Sequence, residues 1–98
     1  MKTIISGLNK IFDSRIRLGI MAMLSINDNL DFNTLKELLD ITDGNLASHL
    51  KALEKKDLIR VQKQFVGRKP NTTYSITPLG IGMFQQHLNA LEKLINPS

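Results

Sequence analysis

The sequence predicts a mainly α-helical domain that carries one small β-hairpin. Apolar residues recur at three- and four-residue spacing over most of the chain, and the pattern changes to alternation in two segments between residues 58 and 76. Side chains suited to helix capping stand where the helical patterns begin. With 98 residues, 42% of them hydrophobic, residues 1–98 are expected to form a single domain. Its modest core leaves little room for a catalytic cleft, so a binding module is expected.

The first part of the chain predicts two helices, a turn and a minimal strand. An apolar stripe over residues 1–12 cannot bury itself alone, so this segment is expected to form a helix that packs on another element or another subunit. A second helix begins after Asp13 or Ser14, either of which can cap it, and ends near Ser25. Residues 27–29 predict a turn, and residues 30–32 are long enough only for a minimal strand.

Residues 33–56 predict a helix-turn-helix. Asn33 is expected to cap a helix that continues to about Leu39, and residues 41–44 form a tight link in which Thr42 or Asp43 caps the next helix. That helix runs from about Gly44 to Lys55. Its inward stripe, at i, i+4 and i+7, consists of Leu46, Leu50 and Leu53. Two short helices joined by about three residues, the second of them amphipathic, are typical of the motif.

Residues 58–76 predict a two-stranded hairpin. Residues 58–63 and 73–76 tend toward alternation, and the polar residues 67–71 between them form a basic tip with Gly67 and Pro70. A last helix is expected from Leu79 to about Ile95, because Thr77 can cap it and Pro78 suits its first position. Its apolar stripe keeps heptad-like spacing and consists of Phe84, Leu88, Leu91 and Ile95.

The excess positive charge lies in one fifth of the chain. Residues 49–69 carry seven basic and two acidic side chains, a local balance of +5, whereas the remaining 77 residues balance to −1. A protein that presents one basic surface to a polyanion shows this distribution, because Lys and Arg that neutralise phosphates release counterions. The alternative is a solvated, lysine-rich surface.

The composition excludes several kinds of site. Without cysteine there are no disulfides or thiolate metal sites, and the two histidines lie 38 residues apart with no evident chelating partner. No acid/base pair, nucleophile motif or phosphate-binding loop is visible, so neither catalysis nor a cofactor is expected. No apolar run approaches the roughly 20 residues that span a bilayer, and no cleavable leader is evident, so a cytoplasmic protein is expected.

The order of the predicted elements is that of a winged helix-turn-helix, with the hairpin as the wing. Residues 42–54, TDGNLASHLKALE, resemble the recognition helix of MarR/ArsR-type bacterial and archaeal regulators. Further short segments resemble a subfamily of small single-domain winged-helix regulators: residues 17–20, 31–32, 42–46, 49–50 and 76–80. The resemblance covers about Ser14 to Leu94 and implies a DNA-binding fold, a homodimer and transcription control. Two departures are Ala47, where relatives often have Ser or Thr, and Asp57, where many have Gly.

The candidate DNA contacts lie on the outer arc of the second helix of the motif and on the wing. They are Thr42, Gly44, Asn45, Ser48, His49, Lys51, Lys55, Lys63, Arg68 and Lys69. Because the N-terminal residues of a helix in the major groove reach base edges, Asn45 and Ser48 are expected to read bases. In this orientation Lys51 and Lys55 are expected to contact phosphate or a nearby guanine. Arg68 is expected to lie along or in the minor groove.

Three candidate residues keep a structural alternative. His49 either packs structurally or donates to a phosphate, and Thr42 is a cap that can also donate to one. Arg15 and Arg17, at the start of the earlier helix, are candidates for phosphate contacts, and Arg17 has the alternative of bracing the fold through a carboxylate.

The apolar stripes at both ends of the chain exceed what one small winged helix needs to bury. A homodimer explains both, with residues 1–12 and 79–95 as dimerisation helices, and the alternative is packing of the last helix on its own domain. The candidate interface consists of Ile4, Leu8, Ile11, Phe84, Leu88, Leu91 and Ile95. His87 is expected at the interface or the surface.

The predicted function is therefore sequence-specific binding of double-stranded DNA by a homodimeric transcription regulator. A winged helix used for protein-protein association is the alternative. The basic wing and the polar outer face favour DNA, and no pocket for a small-molecule effector is legible.

Overall fold

A computed structural model describes residues 5–96 and confirms the mainly α-helical fold with a small antiparallel sheet. A single-turn 3₁₀ helix at Lys10–Phe12 comes first. The elements that follow are α1 (Arg15–Ile26), β1 (Leu30–Asp31), α2 (Phe32–Leu39), α3 (Asp43–Lys55), β2 (Ile59–Val66), β3 (Lys69–Ile76) and α4 (Pro78–Ile95). Within the described part of the chain, no helix combines the length and apolar character needed to cross a membrane.

The helix expected over residues 1–12 is not found in the described part of that segment. Only Lys10–Phe12 are helical, and Ile4 lies outside the described residues. The side chain of Asn9 accepts a hydrogen bond from the backbone N–H of Ile11 at 3.0 Å, which caps a short turn. Asn and Asp compete with helix by bonding nearby backbone in this way. The segment therefore enters the domain as a capped turn.

Local capping explains where α1 and α2 begin. The Ser14 hydroxyl accepts the backbone N–H of Arg17, so Ser14 is the cap of α1. The expected cap of α2, Asn33, is wrong by two residues, because the Asp31 carboxylate accepts the backbone N–H of Thr34 at 2.7 Å. Asp31 has the extended backbone that a cap requires, and α2 starts at the next residue.

The sheet has the strand order β1-β3-β2, and the hairpin is longer than the alternation predicts. Eight residues of β2 pair with eight of β3, from Ile59 opposite Ile76 to Val66 opposite Lys69. Only Gly67 and Arg68 remain as the turn, so Pro70 belongs to β3 and not to a loop. A positive φ at the first central residue, +66° at Gly67, and a negative one at the second are typical of a type II′ hairpin turn.

A buried joint connects the end of α3, the wing and α4. The Thr77 hydroxyl donates to the backbone carbonyl of Asp57 at 2.7 Å and accepts the N–H of Gly80 at 2.9 Å, so it caps α4 and ties it to the chain before β2. Asp57, which stands where many relatives have Gly, takes the left-handed conformation with φ 60°. Gly80 packs directly against the carbonyl of Leu58.

The core draws on every helix and on both wing strands. Its fully buried side chains are Phe12, Ile20, Met21, Leu24, Leu35, Leu46, Leu53, Leu58 and Ile59. Phe84 joins this core, with its ring edge-on to Phe12 at 5.6 Å, so its expected place in a dimer interface is wrong. His87 is also wrong as an interface or surface residue, because it is 3% exposed and its ring lies 5.0 Å from Phe12. The alternative of intramolecular packing thus holds for the part of α4 that carries Phe84 and His87.

Candidate nucleic-acid interface

The outer face of α3 is exposed along its whole length. Leu46, Leu50 and Leu53 turn inward and are buried, and this fixes the opposite face outward. The exposed candidates on that face are Gly44, Asn45, Ser48, Lys51 and Lys55. The polar residues stand nearer the N-terminus and the lysines nearer the C-terminus. This order suits a helix whose first turns meet base edges while its later turns follow the backbone.

The first turn of α3 is held from two sides. The Thr42 hydroxyl accepts the N–H of Asn45 at 3.2 Å, which confirms Thr42 rather than Asp43 as the cap. Asp43 instead pairs with Lys36 of α2, with 2.8 Å between Nζ and Oδ1. An exposed pair of this kind contributes little stability, but it offsets the negative charge nearest to the candidate base-reading residues. Sequence analysis did not identify Lys36, because no local spacing relates it to Asp43.

His49 of α3 lies near enough to Arg17 of α1 to be affected by its positive charge. Burial lowers the pKa of His49, and the nearby positive charge of Arg17 lowers it further. The Nε of Arg17 is buried and has no hydrogen-bond partner among residues 5–96. The carboxylate brace considered for Arg17 is not found in this part of the chain. A neutral imidazole beside an unneutralised guanidinium leaves this edge of the helix suited to an anion.

The wing carries an exposed group of cations. Lys63, Arg68 and Lys69 are all exposed, and no acidic residue occurs between Arg60 and Lys69. Arg68 occupies the second position of the turn, at the end of the hairpin farthest from the core. The structure thus presents the predicted cations on a projecting element, and the field of the wing is positive throughout.

The wing tip also holds apolar side chains that sequence analysis did not single out. Phe65 is 74% exposed, Val66 is 62% exposed, and both lie in β2 beside the cations. The available signal was the continued alternation of residues 61–65, in which Val61, Lys63 and Phe65 share one face of the strand.

An apolar face separate from the wing runs along α4. Leu88, Leu91 and Ile95, three of the candidate interface residues, are exposed, as are Leu79 and Ile81 nearer the start of the helix. Two other candidates, Leu8 and Ile11, are half-buried, and Ile11 packs against the core of its own chain. Among the candidate interface residues that the structure describes, the exposed ones are therefore confined to α4.

Comparison with known proteins relates this fold to regulators. Residues 16–95 match the model of the winged helix DNA-binding domain family. The chain is 36% identical over 85 residues to an uncharacterized protein of Methanocaldococcus jannaschii, covering 87% of this chain and 92% of that protein. It superposes with TM-score 0.77 on a transcriptional regulator homologue from Pyrococcus horikoshii OT3, at 32% identity over 90% of this chain and 92% of that one. A MarR family transcriptional regulator from Silicibacter pomeroyi shares the fold, with TM-score 0.71 and 19% identity over 91% of this chain and 59% of that one.

Proposed function

The chain belongs to the winged helix DNA-binding domain family and is a winged helix transcriptional regulator with a MarR-like fold, and from this premise we propose that it acts as a homodimer that binds specific sequences of double-stranded DNA. One observation carries the proposal: an exposed polar helix face and an exposed cationic wing belong to the same small domain. Proteins of this family are not enzymes in general, and the proposed activity is binding alone. Because the proposed ligand is genomic DNA, the protein is proposed to act inside the cell.

In this proposal α3 enters the major groove. Asn45 and Ser48 contact base edges, because they lie in the first turns of the helix and are exposed. Lys51 and Lys55 follow along the same face and contact phosphates or a nearby guanine. Ala47 has no hydroxyl to offer, so fewer side chains read bases than in relatives with Ser or Thr there.

The wing supplies sequence-independent affinity in the neighbouring minor groove. Arg68 sits at the turn, where a guanidinium reaches a narrow groove of strongly negative potential. Lys63 and Lys69 flank it and contact phosphates. Each cation that neutralises a phosphate steepens the dependence of affinity on salt.

The homodimer is proposed from the exposed apolar face of α4. Leu88, Leu91 and Ile95 continue the apolar stripe of Phe84 toward the end of α4, beyond the part of the helix that Phe84 and His87 pack in the core. A twofold axis that pairs two copies of this face buries it and presents two α3 helices to the same side of a duplex. The half-sites are then about one helical turn, ~34 Å, apart on a near-palindromic operator.

A titration of labelled duplex DNA at several salt concentrations tests this function. The protein is added to a random-sequence duplex of about 30 bp, long enough for two half-sites, and anisotropy is recorded. Tight binding at low salt with a steep negative slope of log K against log salt is expected. Arg68→Ala should weaken binding to every sequence and reduce the slope by about 2, about 1 for each protomer of the dimer, whereas Lys10→Ala, a charge change outside the wing, should leave the slope unchanged.

The same titration separates DNA binding from the alternative of a protein-association module. A module of that kind has no need for the wing cations. Absence of binding to any duplex at low salt would reject the proposed function.

A further inference from the structure

The apolar side chains at the tip of the wing are exposed and do not pack against the described core of the domain. In β2, every residue from Gln62 to Val66 is exposed, so the outer half of this strand lies outside the core. Single exposed apolar residues are common and need no explanation. Here, however, an exposed phenylalanine and an exposed valine are adjacent at the hairpin end that also carries Lys63, Arg68 and Lys69.

The register places a proline beside the phenylalanine. Phe65 pairs with Pro70, one step inside the Val66–Lys69 pair that closes the turn. Directly opposed residues of an antiparallel pair have Cβ atoms about 5 Å apart and share one face of the sheet. The two side chains therefore form one apolar ridge, with the ring of Phe65 forming its most exposed part.

The hairpin tolerates Pro70 at this position without losing a ladder hydrogen bond. In a two-residue hairpin the pair that closes the turn exchanges hydrogen bonds, and the next pair does not. The nitrogen of Pro70 therefore points away from β2. On its other side β3 pairs with β1 only at Thr73 and Tyr74. An apolar, rigid residue stands opposite Phe65 at no cost in pairing.

The wing is long enough to carry this ridge into a groove. Val61 is the last residue of β2 that packs against the core, and Val66 closes the turn five residues later. At about 3.3 Å per residue the tip projects roughly 17 Å beyond the core. The minor groove of B-DNA is about 7.5 Å deep. The ridge can thus reach the floor of the groove while the body of the domain stays outside it.

Resting on the proposed function, we propose that the wing tip is an apolar wedge, in which Phe65, supported by Pro70, presses between base pairs from the minor groove and bends the duplex. The adjacent charges identify DNA as the occupant, because Lys63, Arg68 and Lys69 match the phosphates that border the groove. Apolar wedges of Phe or Pro partly unstack a base step and bend the duplex toward the major groove. Insertion also buries the ring, which nothing in the domain does.

The wedge gives the wing a part in sequence preference. Pyrimidine–purine steps such as TA and CA unstack most easily, so a wedge favours sites that place such a step under the tip. Arg68 by itself contributes affinity and a preference for a narrow groove. Phe65 adds a preference for DNA sites with an easily deformed base step under the wing tip. This preference does not require a hydrogen bond from any side chain to the bases of that step.

The experiment compares Phe65→Ala with a matched control, Ile26→Ala. Ile26 is 74% exposed, the same as Phe65, but it lies at the end of α1 and outside the wing. A duplex of about 30 bp is selected from a random pool by binding to the wild-type protein, and its two ends carry a donor and an acceptor dye. In a second set of duplexes of the same sequence, 2-aminopurine replaces one base at a time at successive positions across the site. End-to-end energy transfer reports bending, and 2-aminopurine fluorescence reports local unstacking.

With the wild-type protein and Ile26→Ala, we expect higher energy transfer and a rise in fluorescence confined to one base step in each half-site. With Phe65→Ala both signals should fall to near those of free DNA, and affinity should weaken about tenfold for each half-site, as for loss of one base–aromatic stack per protomer. The salt slope should stay unchanged, because no charge is removed. Phe65→Leu, which keeps an apolar wedge, should retain part of the bend.

Several outcomes would overturn the inference and leave the proposed function standing. A wild-type complex that binds DNA without bending it is one, and a Phe65→Ala complex that bends it equally is another. If the wild-type protein binds phosphatidylglycerol vesicles and Phe65→Ala does not, while Phe65→Ala still bends DNA as the wild type does, the ridge would be assigned to a membrane surface. A dimer lost in Phe65→Ala would assign it to a second copy. Failure of the wild-type protein to bind any duplex would reject the proposed function itself.

Discussion

The backbone N–H of Asn9 donates a hydrogen bond to Nδ1 of His87 at 3.1 Å and so joins two parts of the chain 78 residues apart. The imidazole also contacts Phe12 and is almost completely buried. One side chain of α4 therefore holds both the backbone and the aromatic ring of the N-terminal segment. This contact and the burial of Phe12 hold the segment on the domain without a longer helix.

Replacing His87 should release the N-terminal segment. His87→Ala leaves the half-buried N–H of Asn9 without its acceptor and opens a cavity beside Phe12, so we expect a loss of about 2–3 kcal/mol in the free energy of unfolding. Urea unfolding measures this loss, and hydrogen exchange at the Asn9 amide measures the release. Gln86→Ala, an exposed change on the same helix, should alter neither. Unchanged exchange at Asn9 in His87→Ala would show that the hydrogen bond does not hold the segment.

Two glycines of α4 should respond to the same substitution with opposite signs. A Cβ added at Gly80 meets the Leu58 carbonyl, whereas a Cβ at Gly82 meets nothing within 4 Å. Gly82→Ala should stabilise the fold by up to about 1 kcal/mol, because alanine has the higher helix propensity. Gly80→Ala should destabilise it by more than about 2 kcal/mol, because backbone must move. Thermal unfolding of the two variants measures both signs, and equal shifts would contradict close packing at the α3–wing–α4 joint.

The starts of three helices could be predicted from the sequence because a cap is a local signal. Ser14, Thr42 and Thr77 each accept a backbone hydrogen bond from the residue three positions on, so the neighbouring residues suffice to identify them. The same logic failed at Asn33, since two capping residues stand two positions apart and only the backbone decides that Asp31 caps. The exposed positions on the outer arc of α3 followed from helical spacing alone.

Packing partners could not be predicted in the same way. An apolar stripe on α4 can bury itself against its own domain or against a second copy, and the spacing of Phe84 is the same in both cases. Phe84 and His87 are buried within their own domain because Phe12, from the other end of the chain, packs against both rings. The strand pairing of Pro70 was missed because register depends on a residue in another strand, here Phe65.

Asn45 and Ser48 are expected to determine which operator is preferred. The Ser48 hydroxyl donates to the backbone carbonyl of Asn45 at 3.1 Å, which leaves its lone pairs free to accept from a base. Asn45→Ala and Ser48→Ala should each reduce discrimination at one or two base pairs by about 1–3 kcal/mol while affinity for random DNA changes little. Selection from a random pool measures the preference. Equal losses on every sequence would contradict a role in reading bases, and Lys51→Ala supplies the phosphate-type comparison.

The exposed face of α4 is expected to hold the dimer together. Ile95→Glu is the cleanest test, because this residue is 78% exposed and its replacement does not disturb the core. We expect monomers by sedimentation, and the combination Leu88→Glu with Leu91→Glu should act in the same direction. Ile26→Glu adds the same charge to an equally open site outside α4 and should leave a dimer. A dimer that survives in Ile95→Glu and in the double variant would place the interface elsewhere.

Acid should destabilise the fold in two separate steps. Burial and the charge of Arg17 hold the pKa of His49 below 6.5, so the unfolded chain binds this proton more readily than the folded chain. Stability is therefore complete above pH 6.5 and is lost as pH falls through the folded pKa of His49. Hydrogen bonds from the Thr34 side chain and backbone hold the pKa of Asp31 below 3.8. Its contribution is complete above pH 3.8 and is lost as pH falls through its own lower folded pKa.

His49→Gln separates the first step from the second and distinguishes the two roles open to this histidine. Urea unfolding of the variant should lose its dependence on pH between about pH 7 and pH 5, while the step assigned to Asp31 remains. In the complex, a phosphate beside the imidazole favours its charged form, so an imidazole that donates to DNA takes up a proton on binding. Wild-type affinity at constant salt should then rise as pH falls toward about 5.5, and that of His49→Gln should rise less. Parallel pH profiles for the two proteins would show that His49 packs structurally and contacts no phosphate.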